Sequence, residues 1–356
     1  SDGYDTFTTI LNKFFKFDQK LLNNLINLRN KISSYNDLVS YSNELGSLDR
    51  DFTMFIAKVL NDLILYSNIN VDLIGFHGQT IFHNPAKKIS IQIGDGKLLS
   101  QLSKQIVISN FRQNDLDNGG QGAPLTPIFH KLLSKLISTK TEVKYPLNII
   151  NIGGITNITQ IMFDSKVDDL DLFASDIGPG NCLIDKWIRK NSIKSFDTNG
   201  EIAKAGVVNE LIYNQAVENF SNISYDKSLD INDFDISFAK GLSLEDGCAT
   251  VTKFTAHLIA NGIKHINNRN KNPSVFNLVC GGGRKNKTLI ENINDNLNYM
   301  DIDLIDIDNY NFDGDYIESQ AFGYLAIRAF LNLPISFPST TGCQTPTVGG
   351  LINKNF

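Results

Sequence analysis

Cysteine is scarce in this chain, and the four present, Cys182, Cys248, Cys280 and Cys343, lie far apart with no C-x-x-C pair. That spacing indicates neither a zinc site nor a disulfide framework and fits a reducing, cytoplasmic setting. Long apolar runs are missing too: none approaches the roughly 20 residues that span a bilayer, and the expectation is a chain with no signal peptide and no membrane partner. There is no basic stripe, and a net charge of -5 gives no general case for nucleic-acid binding. Neither G-x-x-x-x-G-K-[ST] nor G-x-G-x-x-G follows a strand pattern, so P-loop and Rossmann nucleotide sites find no support. No G-x-S-x-G element occurs, and no Ser-His-Asp or Cys-His set can be assembled. Simple repeats and low-complexity tracts are also absent.

What is present is an ordinary globular balance, 42% hydrophobic and 20% charged, over 356 residues. That length exceeds one small core, so two domains or lobes are expected. Residues 15–70 carry apolar positions at i, i+3, i+4 spacing and read as helical. "VDLIGFHGQTIFH" reads as a buried strand, a glycine turn and a short following segment. "KISIQIGDGKLLSQLSKQ" reads as an alternating strand through Ile89, Ile91 and Ile93, then Gly-Asp-Gly, then an amphipathic helix. "IVISNF" is a further strand, and the glycine- and proline-rich loop after it enters another helix.

After Pro146 the pattern restarts. "YPLNIINIGGITNITQIMF" reads as a hairpin turning at Gly153-Gly154. "LDLFASDIGPGNCLIDKWIRK" reads as strand, loop and helix, and a polar helical region follows over about 197–272. "SVFNLVCGGGRKNKTLIENINDNL" is again strand, glycines and helix, and "GDYIESQAFGYLAIRAFLNL" is a final amphipathic helix. The expected division is residues 1–145, residues 146–320, and a tail of 321–356 that returns to the first lobe. Glycine turns where strands end and helices begin point to a phosphate-bearing ligand.

Each motif has a bland reading beside the chemical one. Gly153-Gly154 suits an ordinary hairpin, or a turn whose bare N–H groups wrap a phosphate. Gly281, Gly282 and Gly283 let the backbone lie flat against a base or ribose. His77 and His83 are six residues apart, which does not place them on one helical face as a metal pair; His77, between glycines at a strand end, is better placed to touch a ligand. Arg112, Asp115, Asp117 and Gln121 share one loop, either solvated or suited to a polyhydroxylated ligand. Asp176 stands just ahead of a helix and reads as either a cap or a general base. Glu318 opens the final helix, where its charge suits the helix dipole in any case.

Taken in order, "HGQTIFH", "QIGDG", "NFRQNDLDNGGQGAPLTPIFH", "NIGGITNIT", "DIGPGNCLIDKW", "FDTNGEIAKAG", "CGGGRKN" and "GDYIESQAFGYLA" resemble the anhydro-N-acetylmuramic acid kinase family, from about residue 72 to the end. The resemblance implies an α/β, two-lobed, actin-like (ribonuclease H-like) ATPase fold, with ATP and sugar in an interlobe cleft. The implied substrates are ATP and 1,6-anhydro-N-acetylmuramic acid, and the implied product is N-acetylmuramic acid 6-phosphate, an intermediate of peptidoglycan recycling. Asp176 falls on the family's catalytic base and Glu318 on a glutamate supporting the same water. His77, Gln79, Thr80, Arg112 and Asp115 fall on the sugar side. Gly153, Gly154 and Asn157, Gly178, Gly180 and Asn181, and Gly281, Gly282, Gly283 and Asn286 fall on the ATP side. Mg²⁺ is expected with ATP, no protein metal site is assigned, and a cytoplasmic homodimer is expected.

The family's opening hairpin, roughly G-x-M-S-G-T-S-x-D-G-x-D, has only its tail matched, by "SDGYD". Residues omitted upstream are the favoured explanation, with a catalytically impaired binding relative as the alternative. "KSLDINDFD" replaces the family's later "KSTGRE" segment. A plain sugar kinase of the same fold is the other open reading.

Overall fold

The computed structural model describes residues 1–164, 169–220, 224–225, 227–269, 276–300 and 302–356. Parts of the polar helical region expected over about 197–272 therefore lie outside the described residues. The chain forms two compact units, Ser1–Leu132 with Ser319–Phe356, and Leu133–Glu318.

In chain order, the first unit opens with helices α1 (Gln19–Lys31), α2 (Tyr35–Ser40) and α3 (Ser42–Ser67). Strand β1 (Ile74–Gly75), hairpin strands β2 (Gln79–Asn84) and β3 (Ile89–Ile93), α4 (Gly96–Ser103), β4 (Val107–Ser109), α5 (Gln113–Asp117) and α6 (Pro127–Ser138) follow. The first division between units falls inside α6, ahead of residue 145. The second unit contains β5 (Leu147–Ile152), β6 (Ile155–Asp164), β7 (Asp169–Pro179), α7 (Cys182–Asn191), α8 (Glu201–Ala205) and α9 (Glu210–Asn219). It continues through α10 (Leu244–Asn268), β8 (Phe276–Cys280), α11 (Lys287–Leu297) and β9 (Leu304–Asp306). Helix α12 (Ile317–Phe330), α13 (Pro338–Thr341) and β10 (Leu351–Asn353) end the chain, and all but the first two residues of α12 belong to the first unit.

Local sequence explains these elements. Asp18 caps α1 by accepting the Leu21 N–H at 2.8 Å, and Leu21, Leu25 and Leu28 fall on one buried face. Asp95 caps α4 in the same way through Lys97 and Leu98. In β3 the alternating Ile89, Ile91 and Ile93 all pack on one core, the first two half-buried, while Ser90 on the other face is also buried, its Oγ paired with His83 Nδ1 at 2.9 Å. In the first unit β1 and β4 run parallel, with β10 antiparallel on the other side of β4. "SDGYD" forms a turn on the same unit. The Asp2 carboxylate accepts the N–H groups of Tyr4, Asp5 and Thr6, while Arg328 and Tyr324 of α12 donate to the carbonyls of Gly3 and Tyr4.

The second unit carries a five-stranded sheet in the order β7-β6-β5-β8-β9, with β6 antiparallel to both neighbours and β5, β8 and β9 parallel. Counted within the unit this is strand order 3-2-1-4-5 with the second strand reversed, the sheet of the expected ribonuclease H-like class. Helix α10 is buried along nearly its whole length against β7, α7, α8 and α11. Across the start of the sheet runs a row of amides: Gln160 Nε2 donates to Asn148 Oδ1 at 3.2 Å. Asn148 Nδ2 in turn donates to Asn277 Oδ1 at 2.7 Å and Asn267 Oδ1 at 3.0 Å, all four residues being buried.

Candidate functional site

In the second unit, β5 and β6 meet at Gly153-Gly154, with Asn151 opposite Asn157 and Ile152 opposite Thr156. The turn is tied to the start of α7 by three backbone bonds. Asn181 donates to the Gly153 carbonyl at 2.7 Å, and Gly180 and Cys182 donate to the Gly154 carbonyl at 2.9 and 3.3 Å. A side chain at Gly180 would run into that Gly153 carbonyl, so the close approach requires glycine. The sequence-assigned Gly153, Gly154, Gly180 and Asn181 thus form one structure at a helix N-terminus, with Gly178 on the strand leading into it.

Asp176 is not a helix cap. It lies in β7, and α7 begins only at Cys182 with Asn181 at its N-cap. A register shift between Thr156 and Asn157 leaves Ile177 as the extra residue and sets Asp176 opposite Asn157. Bulges of this kind re-aim side chains beside functional sites. Asp176 Oδ2 accepts the Leu229 N–H at 2.8 Å, which fixes the carboxylate. Asn157 Oδ1 is buried without a hydrogen-bond partner among the described residues.

The strand β8 ends at Cys280, where Gly281 adopts φ +81° and donates to the Gly314 carbonyl at 3.0 Å. Gly281 and Gly283 pack against Asn151 and Ile152 of β5, whereas Gly282 faces open space with Asn181 as its nearest neighbour. Asn286 caps α11 by accepting the Leu289 N–H at 3.0 Å. Glu318 lies exposed in the first turn of α12. Burial, and then the charge of Glu318 against the opposing Arg284, pushes the Cys280 thiol up to about 12.

A cavity of about 370 Å³ opens beside these glycines, lined by Asn181, Asp185, Phe196, Thr198, Asn199, Gly282, Lys285, Asn286 and Asp315 among others. Burial pushes the Asp185 carboxyl up to about 6, Arg189 at 3.7 Å opposing and Asp197 adding to the shift. Sequence reasoning missed Asp185, Phe196, Thr198, Asn199, Lys285 and Asp315 as lining residues. The "FDTNG" stretch was a motif without an assigned role, and Asp315 arrives from a loop with no glycine signature.

In the first unit, His77 and Arg112 meet directly: Arg112 Nε and Nη2 lie 3.2 and 2.8 Å from His77 Nε2, and Nη1 donates to the Gly122 carbonyl at 2.8 Å. The His77 ring rests 4.2 Å from that of Phe322. Burial and the Arg112 charge pull the imidazole down to about 3. Asp115 turns inward, accepting from Gly122 N at 2.7 Å and Thr341 Oγ1 at 2.6 Å; it organises the loop and is buried. Gln79 and Thr80 sit on β2, with Gln92 Nε2 donating to Thr80 Oγ1 at 3.3 Å. A cavity of about 250 Å³ is lined by His77 together with Phe76, Ser90, Gln92, Asn110 and Gln113, of which only His77 was assigned from sequence.

No helix among the described residues is long and apolar enough to cross a membrane. Comparison with known proteins then places the chain. The family model for anhydro-N-acetylmuramic acid kinase matches residues 5–355. A protein of that name from Pelagibacter ubique is 48% identical, covering 100% of this chain and 93% of its own. One from Zymomonas mobilis is 41% identical over 80% of this chain and 74% of its own. One from Brucella canis is 37% identical over 86% and 80%. The chain belongs to the anhydro-N-acetylmuramic acid kinase family.

Proposed function

We infer that this chain opens 1,6-anhydro-N-acetylmuramic acid with water and transfers the γ-phosphoryl group of ATP to the freed 6-oxygen, giving N-acetylmuramic acid 6-phosphate and ADP. Membership of the kinase family carries the reaction class. The observation that carries the residue assignment is the bulge setting the Asp176 carboxylate beside Asn157, next to a glycine turn bound to a helix N-terminus.

In this reading Asp176 takes a proton from the water that attacks the anomeric carbon. The bond from that carbon to O6 breaks, and O6 attacks the γ-phosphorus as ADP leaves. Leu229 N–H holds Asp176 in orientation, and Glu318 supports the same water. Gly153, Gly154, Gly178, Gly180, Asn181 and Asn157 border the phosphates, which the N-terminus of α7 holds; the Gly180 and Asn181 N–H groups are spent on keeping the glycine turn against that helix. Gly281, Gly282, Gly283 and Asn286 border the nucleoside. In the first unit, His77, Arg112, Gln79 and Thr80 face the sugar, with Asp115 holding the Arg112 loop in shape.

Among the described residues no group of three or more His, Cys, Asp or Glu side chains could cage a metal. Mg²⁺ ordinarily arrives on the nucleotide with few protein ligands. The unpartnered Asn157 Oδ1 is the oxygen that fits it. When bound it would neutralise phosphate charge. The remaining parts of the reading are a cytoplasmic homodimer and a place in peptidoglycan recycling.

The test is ADP release from ATP, Mg²⁺ and the anhydro sugar, run in ¹⁸O-labelled water. Sugar-dependent ADP with label on the C1 oxygen supports the reading. Sugar-dependent ADP without that label means a plain sugar kinase, and sugar binding without ADP means a binding relative.

A further inference from the structure

Arg284 follows the three glycines and is buried, its side chain 2% exposed, yet four carboxylates reach it, one from the end of β9 and three from the segment after it. Its Nε donates to Asp306 at 3.2 Å, and Nη2 donates to both oxygens of Asp308 at 2.8 and 3.1 Å. Nη1 donates to Asp315 at 2.5 Å and to the Gly281 carbonyl at 3.1 Å. A guanidinium has five N–H donors; the two Nη2 contacts share one carboxylate and one N–H, so four are engaged by the scaffold. With its side chain 2% exposed, Arg284 is turned to the scaffold and away from a ligand.

The bonds close a ring around the glycine turn. Gly281 donates to the Gly314 carbonyl, Gly314 N–H donates to Asp308 at 2.7 Å, and Asp308 returns to Arg284. Asp315 divides its two oxygens between Arg284 and Lys285. Lys285 differs from its neighbour: its side chain is 54% exposed and it is the one cation among the described residues lining the 370 Å³ cavity. An ammonium has three donors, of which Asp315 takes one.

We propose that Arg284 is a positioning residue for nucleotide binding: it clamps the Gly281–Gly283 turn and, through Asp315, holds the Lys285 ammonium at the cavity to meet the anionic part of the nucleotide. The two adjacent cations divide the work. The planar, pre-organised fork is spent on scaffold geometry, and the mobile point charge faces the ligand. This rests on the nucleotide reading given above.

Removing a partner from a buried charge network is strongly destabilising, so the decisive variants are conservative. ADP and the anhydro sugar are titrated calorimetrically into wild type, Lys285→Met, Lys285→Arg and Arg284→Lys, each with a thermal melt. Lys285→Met should weaken ADP binding about tenfold, the loss of one charge-assisted bond, with the melt and the sugar affinity unchanged. Lys285→Arg should restore ADP binding. Arg284→Lys should weaken ADP about tenfold as well, leave the sugar affinity unchanged, and lower the melt. A folded Arg284→Lys with lowered melt and unchanged ADP affinity would make Arg284 purely structural and overturn the proposal. If Arg284→Lys does not fold, the Lys285 pair decides: unchanged ADP binding in Lys285→Met overturns the proposal. Wild-type protein that binds sugar but no ADP would remove the nucleotide reading and this inference with it.

Discussion

Two donors of Arg112 converge on the Nε2 atom of His77, at 3.2 and 2.8 Å, and so leave that nitrogen without a proton of its own. The remaining proton sits on Nδ1 and is donated to the Gly78 carbonyl at 2.9 Å. His77 is therefore a neutral imidazole that orients a guanidinium, and it does not act as an acid near neutral pH.

The pH dependence of stability follows from this pair and from His130, whose burial likewise pulls its imidazole down to about 3. The unfolded chain takes up these protons near pH 6.5, and the folded chain only near 3. Between those values the unfolded state binds more protons, so the contribution of these two imidazoles is full above about 6.5 and is lost as pH drops toward 3, opposed in part below about 6 by the raised Asp185 carboxyl, which holds its proton more readily in the folded chain. Urea midpoints measured from pH 7.5 to 4 should fall on acidification, and His130→Gln should flatten the slope. An unchanged slope in that variant would show that burial does not depress His130.

Asp176→Asn keeps the shape of the site and removes the proton acceptor. Turnover should fall by roughly 10²–10⁴-fold, with ADP and sugar affinities retained by calorimetry. Turnover within a few-fold of wild type would remove Asp176 as the base.

The glycines after β8 differ in what surrounds them. A side chain at Gly283 meets Ile152, whereas one at Gly282 has only Asn181 within reach, at 3.8 Å. Gly283→Ala should lower the melting temperature, while Gly282→Val should leave it unchanged and weaken ADP binding far more than sugar binding. Equal loss of both ligands in Gly282→Val would argue against the nucleotide-side assignment.

Asp115→Ala strands the Gly122 N–H and the Thr341 hydroxyl in a buried site. Chemical denaturation should show a loss of about 2 kcal/mol. Asp117→Ala, two residues away and exposed, should change stability by less than about 0.5 kcal/mol.

Much of this was legible in the sequence, for reasons that can be named. Helical spacing gave the helical stretch that holds α1 and α3 and the amphipathic α4, and the Gly-Gly pair between apolar alternations gave the β5–β6 hairpin. The position of Asp176 was not readable between cap and base, because a bulge shifts residue order against its partner strand without changing composition. Asp115 read as either a solvated or a sugar-facing loop carboxylate, and its structural partner was hidden because Thr341 lies 226 positions away. The Arg284 network was equally hidden: its four aspartates look like an ordinary acidic loop until the fold folds them over one guanidinium.

The buried row of amides at the start of the central sheet makes strand alignment single-valued. If β5 slid by two residues toward the other end of its neighbours, Asn148 would face Ile158 and Val279, and its amide would be stranded among alkyl groups. Such an orphan costs roughly 1–3 kcal/mol, so the sheet carries its own alignment mark. The glycine turn that ends β5 lies about 17 Å along the strand from that mark, and the one that begins after β8 about 13 Å, at roughly 3.3 Å per residue. Their side-by-side placement is thus a matter of counting residues from Asn148 and Asn277. Lengthening β5 by one residue between Asn148 and Gly153 should throw the two turns out of step and, by turning the buried isoleucines beyond the insertion to the other face, lower the melting temperature as well.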